Sequence, residues 1–227
     1  MRRLVLGDVH GKLDYLLEVF EKSSFDYEND LLIQIGDLVD RGPEPFLCID
    51  EMLKIKNRIF IKGNHDTAFI SVLSTGESFL GDHAENGQRI TMQSWNQLDI
   101  EGRKRALSFF SEQVDYHVTS DNIMFVHGGF PRDEKLEEIL SQEFHWDREM
   151  WNQAMSCKGD QKLKTLYDFK DIYIGHTPTI YWDETKPMIK GGITNIDTGC
   201  GKSGPLTIYD IDSKEYWQSN NNFLKTN

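Results

Sequence analysis

The sequence predicts an α/β fold with α+β character, in which parallel strands alternate with helices before the chain ends in antiparallel strands. The first observation is that short runs rich in Val, Ile and Leu alternate with amphipathic segments of helical length in the N-terminal part. The second is that each of these runs ends at or near a glycine, where the chain can turn sharply. Strand–helix–strand units of this kind form a parallel sheet with right-handed crossovers.

The first part of the chain predicts three strands separated by two helices. The second helix opens with two prolines, which favour the first turn of a helix. Inward-facing residues are expected at Leu13, Leu16, Leu17 and Phe20 in the first helix, and at Phe46, Leu47, Ile49, Met52 and Leu53 in the second. The strands are expected at residues 2–6, 31–35 and 58–61, and the second helix at residues 43–56.

Residues 67–121 predict a mostly helical insertion within a single domain that spans residues 1–227. Short helices are expected at residues 88–98 and 102–110, and a further helical region around residues 144–148. The tail from Gln218 is polar and is expected to fray. The later strands are expected at residues 122–126, 171–174, 192–197, 206–211 and 215–217, of which the last three predict a β-meander.

Composition restricts the class of protein. Hydrophobic residues make up 38% of the 227 residues and charged residues 27%, as in soluble globular proteins. No apolar run approaches the ~20 residues that a membrane-spanning helix needs, so no membrane contact is expected. The 3 cysteines are scattered, which fits the cytoplasm. The net charge of −12 argues against stable nucleic-acid binding, but not against a small anionic substrate.

Polar side chains are concentrated in the loops that follow the predicted strands. Residues 36–42, after the strand at 31–35, hold two carboxylates and a guanidinium between two glycines. Ligands bind at the carboxyl ends of the strands in open α/β sheets, so the side chains of five such loops can converge. These side chains are Asp8 and His10; Asp37 and Asp40; Asn64 and His65; His127; and His176.

These side chains are typical of a metal site. Carboxylate, amide and imidazole groups without thiolate favour Mn²⁺, Fe or Zn²⁺. Six such ligands exceed the need of one ion but suit two that share a carboxylate, and Asp37 is the central candidate for this bridge. Two metals ~3.5–4 Å apart lower the pKa of a shared water and clamp a phosphoryl group for in-line attack.

The remaining loop residues fit phosphoester chemistry. Arg41 and Arg148 can neutralise and orient phosphate oxygens. His65 is not needed as a ligand and can protonate the leaving oxygen, while Asp40 can hold its imidazole ring.

Five motifs together resemble the phosphoprotein-phosphatase branch of the metallophosphoesterases. They lie at residues 7–11, 36–42, 63–66, 127–129 and 175–177, in the order of that family. The resemblance spans residues 4–201 and is closest to the compact bacterial and bacteriophage serine/threonine protein phosphatases, with the symmetrical dinucleoside tetraphosphatases next. Residues 85–95, 146–149 and 196–200 add weaker likenesses.

The resemblance implies a metallophosphoesterase-like β-sandwich flanked by helices and two divalent ions, of which Mn²⁺ is the first candidate. It implies direct attack by a hydroxide that bridges the two metals, without a phosphoenzyme. One metal would be held by Asp8, His10 and Asp37. The other would be held by Asp37, Asn64, His127 and His176. His65 and Asp40 resemble the acid pair, and Arg41, Arg148 and Asn64 resemble phosphate-binding residues.

Three functions follow as hypotheses. The first is hydrolysis of phosphoserine or phosphothreonine in proteins. The second keeps the site chemistry but takes a dinucleoside tetraphosphate or a nucleotide phosphodiester as substrate. The third is a binding scaffold on an inactive phosphoesterase fold, which the presence of His65 and all six ligands disfavours.

Three local features lie outside the roles assigned above. Asp66 stands where relatives often have Glu, one methylene longer. Residues 199–204 match a glycine-rich nucleotide motif, but a strand follows them, so this interpretation is rejected. His145 has no partner motif and is expected to have a surface or a structural role.

Overall fold

The computed structural model describes residues 1–77 and 85–220. The strands of this part are β1 (Arg3–Leu6), β2 (Leu31–Gln34), β3 (Asn57–Phe60), β4 (Tyr116–Val118), β5 (Ile123–Val126), β6 (Asp171–Ile174), β7 (Met188–Lys190), β8 (Ile193–Asn195), β9 (Thr207–Asp210) and β10 (Tyr216–Gln218). The helices are α1 (Leu13–Lys22), α2 (Pro45–Met52), α3 (Asn64–Thr75), α4 (Glu85–Gln97), α5 (Ile100–Glu112), α6 (Ser141–Trp146) and α7 (Glu149–Met155).

The strands form two mixed sheets. The first has the order β10-β9-β1-β2-β3 and the second the order β4-β5-β6-β8-β7. Strands β1, β2 and β3 are parallel to one another, as are β5, β6 and β8. The predicted strand–helix–strand units are therefore confirmed. In the second sheet an antiparallel strand lies on each side of the parallel strands, whereas in the first sheet the antiparallel strands β9 and β10 lie beside β1 only and β3 is a parallel edge strand.

The core between the sheets is built from alternate residues of the strands, because successive side chains point to opposite faces. Val5 and Ile33 of the first sheet cluster with Phe125 and Tyr173 of the second. Removing such a side chain from water contributes ~1.5–3 kcal/mol. The other faces pack against helices, through Leu4, Leu6, Leu32 and Phe60 in the first sheet and Met124, Val126, Ile172 and Ile174 in the second.

Two predicted core residues lie at the surface. Leu17 is 43% exposed and Leu47 is 51% exposed. Each follows a buried residue directly, and one step along an α-helix rotates the side chain by ~100°, away from the core. The sequence showed apolar residues at these positions, but it could not show that the buried stripe of each helix was already filled.

The predicted β-meander is wrong. Strand β8 belongs to the second sheet, whereas β9 and β10 form a hairpin on the first. The alternation of apolar residues marks these segments as strands, but it does not determine which sheet each one joins. Gln218 is not frayed, because it belongs to β10 and pairs with Thr207 of β9. Residues 221–227 of the predicted frayed tail lie outside the described residues.

The predicted short helices at 88–98 and 102–110 correspond to α4 and α5. Helix α3 starts earlier than the expected insertion, at Asn64, and the strand β4 lies inside residues 67–121. Residues 78–84 of this segment lie outside the described residues. None of the helices in the described ranges has the length and apolar character that a membrane crossing requires.

The side chain of Asp115 links the segment after β3 to α6 through hydrogen bonds. Its Oδ1 atom accepts hydrogen bonds from Lys62 Nζ at 3.0 Å, Ser141 Oγ at 2.8 Å and His145 Nε2 at 3.0 Å. His145 is buried, so of its two expected roles the structural one applies. The hydrogen bond from His145 is the main cause that holds the pKa of Asp115 well below its ordinary value, and Ser141 and Lys62 add to it.

We expect Asp115→Asn to lower the free energy of unfolding at pH 7 by ~1–2 kcal/mol, because hydrogen bonds to a charged group are lost. The folded-state pKa lies below the unfolded value of ~3.9, so the stabilisation is present above pH ~4 and is lost as the pH falls further. Urea unfolding from pH 7 to pH 2.5 measures this difference. It should shrink in acid, whereas the exposed Asp160→Asn control should match the parent throughout. A constant deficit at all pH values would contradict the prediction.

Candidate metal centre

Five strands, of which three lie in the first sheet and two in the second, each end in a loop that delivers a buried polar side chain to one place. The loops after β1, β2 and β3 carry four of the predicted metal ligands, and those after β5 and β6 carry one each. All six side chains predicted as metal ligands are buried. They are Asp8, His10, Asp37, Asn64, His127 and His176.

The backbone of these loops adopts conformations that side chains with a Cβ atom rarely take. His10, Asp37, Asp40, Arg41 and His176 all have φ between 50° and 69°. Such a conformation costs ~1–3 kcal/mol per residue and persists only where its surroundings enforce it. In this conformation the loops bring His10, Asp37 and His176 into the cluster of candidate ligands.

Asp66 enforces the conformation of the loop after β2. Its Oδ2 atom accepts from the backbone N–H of Asp37 at 3.0 Å, and its Oδ1 atom accepts from Leu38 at 2.9 Å. Gly63 N–H and Gln113 Nε2 also donate to Oδ2. Burial and the Asp37 carboxylate raise the pKa of Asp66. The side chain is one methylene shorter than Glu, yet it reaches the loop.

Asp37 lies at the centre of the cluster. Its Oδ1 atom is 3.4 Å from His127 Nε2, and its Oδ2 atom is 3.7 Å from His10 Nε2. The ligand atoms form two groups, His10–Asp37–His65 and Asp37–His127–His176, within each of which all atoms lie within 4.8 Å of one another. Asp37 belongs to both groups, which is the geometry that a bridging carboxylate needs.

The orientation of the histidines fits metal binding. His10 Nδ1 donates to the Val39 carbonyl at 2.9 Å, and His127 Nδ1 donates to the Ile35 carbonyl at 2.8 Å. Histidines that bind metals use their second ring nitrogen in this way, which leaves Nε2 facing the ion. His176 Nδ1 donates to Asn64 Oδ1 at 2.9 Å, and the buried His176 Nε2 has no hydrogen-bond partner among the described residues. An unpaired buried nitrogen is costly unless a ligand takes it.

The charge of the cluster also fits cations. Burial lowers the pKa of His127, but the Asp37 carboxylate, with Asp8, more than offsets this and raises it to about 9. A cation between Asp37 and His127 would replace that proton. Burial, Asp197 and Asp37 raise the pKa of Asp8 well above its ordinary value. Several carboxylates buried this close together need positive charge as a partner.

His65 lies beside Asp40, the residue expected to hold its imidazole ring. Its Nδ1 atom is 2.7 Å from Asp40 Oδ2 and its Nε2 atom is 3.0 Å from Arg41 Nη2. Asp40 is fully buried, whereas Arg41 is exposed at the mouth of the cluster. Since Asp40 accepts from Nδ1, Nε2 is the nitrogen that faces the open side. His65 also belongs to one group of clustered ligand atoms, where Asp8 was predicted instead.

Arg148 is engaged elsewhere. Its Nη1 atom donates to the His176 carbonyl at 3.1 Å and to Thr177 Oγ1 at 2.9 Å. It therefore holds the loop after β6, and the ring of Trp146 lies against His176 at a centroid distance of 6.1 Å. The predicted contact of Arg148 with phosphate remains a proposal.

Residues 1–192 match the calcineurin-like phosphoesterase family. The chain belongs to this family. It is 33% identical to the serine/threonine-protein phosphatase 1 of Salmonella typhimurium, over 91% of this chain and 90% of that protein. It is 28% identical to the asymmetrical bis(5'-nucleosyl)-tetraphosphatase PrpE of Halalkalibacterium halodurans, over 93% of this chain and 91% of that protein.

The fold agrees with this family. A solved metallophosphoesterase from Sphaerobacter thermophilus superposes with a TM-score of 0.59 at 18% identity, and the match covers 100% of this chain and 91% of that one. Metallophosphoesterases use a dinuclear metal centre, and the clustered His and Asp side chains described above are the candidates for it here.

Asp197 is a further buried carboxylate near the cluster that sequence reasoning did not single out. It follows β8, is buried, and its carboxylate accepts from Gly199 N–H at 3.0 Å. Burial is the main cause that raises its pKa to about 6, Asp37 raises it further, and Arg41 opposes the change. The signal was available, because Asp197 ends a parallel strand like the other five. The segment had been assigned to a meander, where this rule does not apply.

The glycine-rich segment 199–204 borders the phosphoesterase site. A Cβ atom at Gly201 would overlap the ring of His10 and the guanidinium of Arg41. A side chain there must therefore displace one of these groups.

We expect Gly201→Ala to weaken Mn²⁺ binding by ~10–100-fold, the usual effect of disturbing the surroundings of a metal ligand. Isothermal titration of the metal-free protein with Mn²⁺ measures the affinity directly, without reference to activity. Lys202→Ala, an exposed neighbour in the same segment, is the matched control and should bind Mn²⁺ like the parent. Equal affinities for all three proteins would contradict the prediction and would mean that the added methyl group displaces Arg41 rather than His10.

Proposed function

We propose that this phosphoesterase hydrolyses phosphoserine and phosphothreonine monoesters in proteins. The observation that carries the proposal is that the two oxygens of Asp37 face two different histidine groups, as a dinuclear hydrolase requires. The similarity over most of its length to a bacterial protein named as a serine/threonine phosphatase supports this substrate class.

The metal ligands are proposed as follows. Asp8, His10 and Asp37 would hold one ion, and Asp37, Asn64, His127 and His176 the other. Oxygen and imidazole ligands favour Mn²⁺, with Fe or Zn²⁺ as alternatives. Such a pair supplies an acidified water and neutralises the charge that develops on the phosphoryl group.

The protein's own side chains then direct the reaction. Arg41 is exposed beside the cluster and can bind two phosphate oxygens in fork geometry. When Arg41 turns to the phosphate, it releases His65 Nε2, which takes up a proton from water and holds it for the leaving oxygen. A water that has lost one proton to the solvent bonds through its oxygen to phosphorus as the bond to the serine or threonine oxygen breaks, and this leaving oxygen takes the proton from His65 Nε2. Asp40 keeps the His65 ring in place through Nδ1.

A second candidate is hydrolysis of a bis(5'-nucleosyl) tetraphosphate. The relative PrpE carries that name. Lys12 Nζ donates to the Lys202 carbonyl oxygen at 3.4 Å, so one more cation lies beside the segment in which Gly201 meets Arg41. Additional phosphates of such a substrate would find positive charge there.

We expect Asp37→Asn to abolish turnover of p-nitrophenyl phosphate, because the bridging charge is lost. On a phosphoserine peptide, whose leaving oxygen needs a proton, His65→Asn should lower kcat by ~10²–10⁴-fold with little change in Mn²⁺ affinity, since it removes a general acid rather than a ligand. Steady-state kinetics and Mn²⁺ titration of each variant measure both effects. Lys56 is exposed and takes no part in the proposed reaction, so Lys56→Ala is the control and should leave kcat unchanged. Normal turnover of Asp37→Asn would refute the dinuclear scheme.

The substrate class is tested on chelated protein with Mn²⁺, Zn²⁺ or Mg²⁺ added back. We expect Mn²⁺ to restore the highest activity and kcat/KM on a phosphoserine peptide to exceed that on diadenosine tetraphosphate at least tenfold. The metal-free protein is the control in each assay. The reverse preference would move the substrate to the nucleotide class, and inactivity on every phosphoester with every metal would favour a binding scaffold.

A further inference from the structure

Thr91 on α4 touches the acid pair of the proposed reaction from outside the loops. It is 0% exposed. Its hydroxyl donates to Asp40 Oδ1 at 2.7 Å and accepts from Asp40 N–H at 2.9 Å. One hydroxyl therefore holds both the backbone and the carboxylate of Asp40.

This double contact completes a chain of hydrogen bonds. Asp40 uses its other oxygen, Oδ2, for His65 Nδ1 at 2.7 Å. Asp40 also has a φ of 69°, a conformation that its surroundings must maintain. The direction in which His65 Nε2 points therefore depends on Asp40, and the position of Asp40 depends on Thr91.

Helix α4 is well placed to hold Thr91 still. Near its start, a Cβ atom at Gly87 would lie 2.9 Å from the backbone nitrogen of Arg41, so the helix passes close to the loop after β2. Near its end, the Trp95 ring packs against Phe46 at 5.7 Å and Phe69 at 5.6 Å. The helix is thus docked on both sides of Thr91.

We propose that Thr91 is a positioning residue for the proton transfer, acting through Asp40 on His65. The proposal rests on the function proposed above, in which His65 protonates the leaving oxygen. A purely structural Thr91 would affect stability and the turnover of all substrates alike. A positioning Thr91 affects most the substrates whose leaving oxygen needs a proton.

The test compares phenyl phosphate with p-nitrophenyl phosphate, whose leaving group is far less basic. Thr91→Val keeps the shape of the side chain and removes the hydroxyl. In the Mn²⁺-loaded enzyme we expect kcat to fall ~10–100-fold on phenyl phosphate and less than about threefold on p-nitrophenyl phosphate, with KM nearly unchanged. Thr91→Ser keeps the hydroxyl and should restore both values to within about threefold of the parent.

The ratio of the two kcat values does not depend on the fraction of folded enzyme, so partial misfolding of a variant cannot produce the expected result. Gln93→Ala, exposed on the same helix, is the control and should keep the parent ratio. An unchanged ratio in Thr91→Val, when His65→Asn does change it, overturns the role of Thr91 alone. An unchanged ratio in His65→Asn overturns the proposed acid and the role of Thr91 with it.

Discussion

The hydrogen bonds to the buried carboxylate of Asp66 are the constraint on which the site depends. Two carboxylate oxygens bind the backbone amides of the loop after β2 and the amide of Gly63 at the start of α3. Without these acceptors the left-handed conformation of Asp37 would place buried amides without partners, a cost of ~1–3 kcal/mol for each group. Gln113, at the end of α5, fixes the carboxylate from the other side. The central carboxylate of the site is thereby positioned before any ligand binds.

The arrangement of charges explains why the centre suits two cations rather than one. Asp8, Asp37 and Asp197 are buried close to one another, and His10 and His127 direct Nε2 toward Asp37 while Nδ1 of each ring bonds a backbone carbonyl. Desolvated carboxylates in such numbers are stable only with compensating charge. The two oxygens of Asp37 divide that requirement between two neighbouring positions.

Much of the fold and the candidate site could be predicted because one rule links them: parallel strands share the edge at which their carboxyl ends meet. Asp8, Asp37, Asn64, His127 and His176 follow from that rule alone. What the sequence could not supply depends on long-range packing. Asp197 was missed because the pairing of β8 with β6 is not encoded in its alternation pattern. Thr91 was missed because nothing local relates a helix position to a carboxylate 51 residues earlier.

The division of the strands between two sheets has a mechanical consequence. Asp8, His10, Asp37 and Asn64 come from the first sheet, whereas His127, His176 and Asp197 come from the second. The candidate centre therefore lies on the seam between two layers that are otherwise held together mainly by apolar side chains. Ions bound there would link the two sheets. They would stabilise the folded protein by an amount that grows with the logarithm of their concentration. The concentration of available metal would then change the stability of the fold as well as the chemistry of the site.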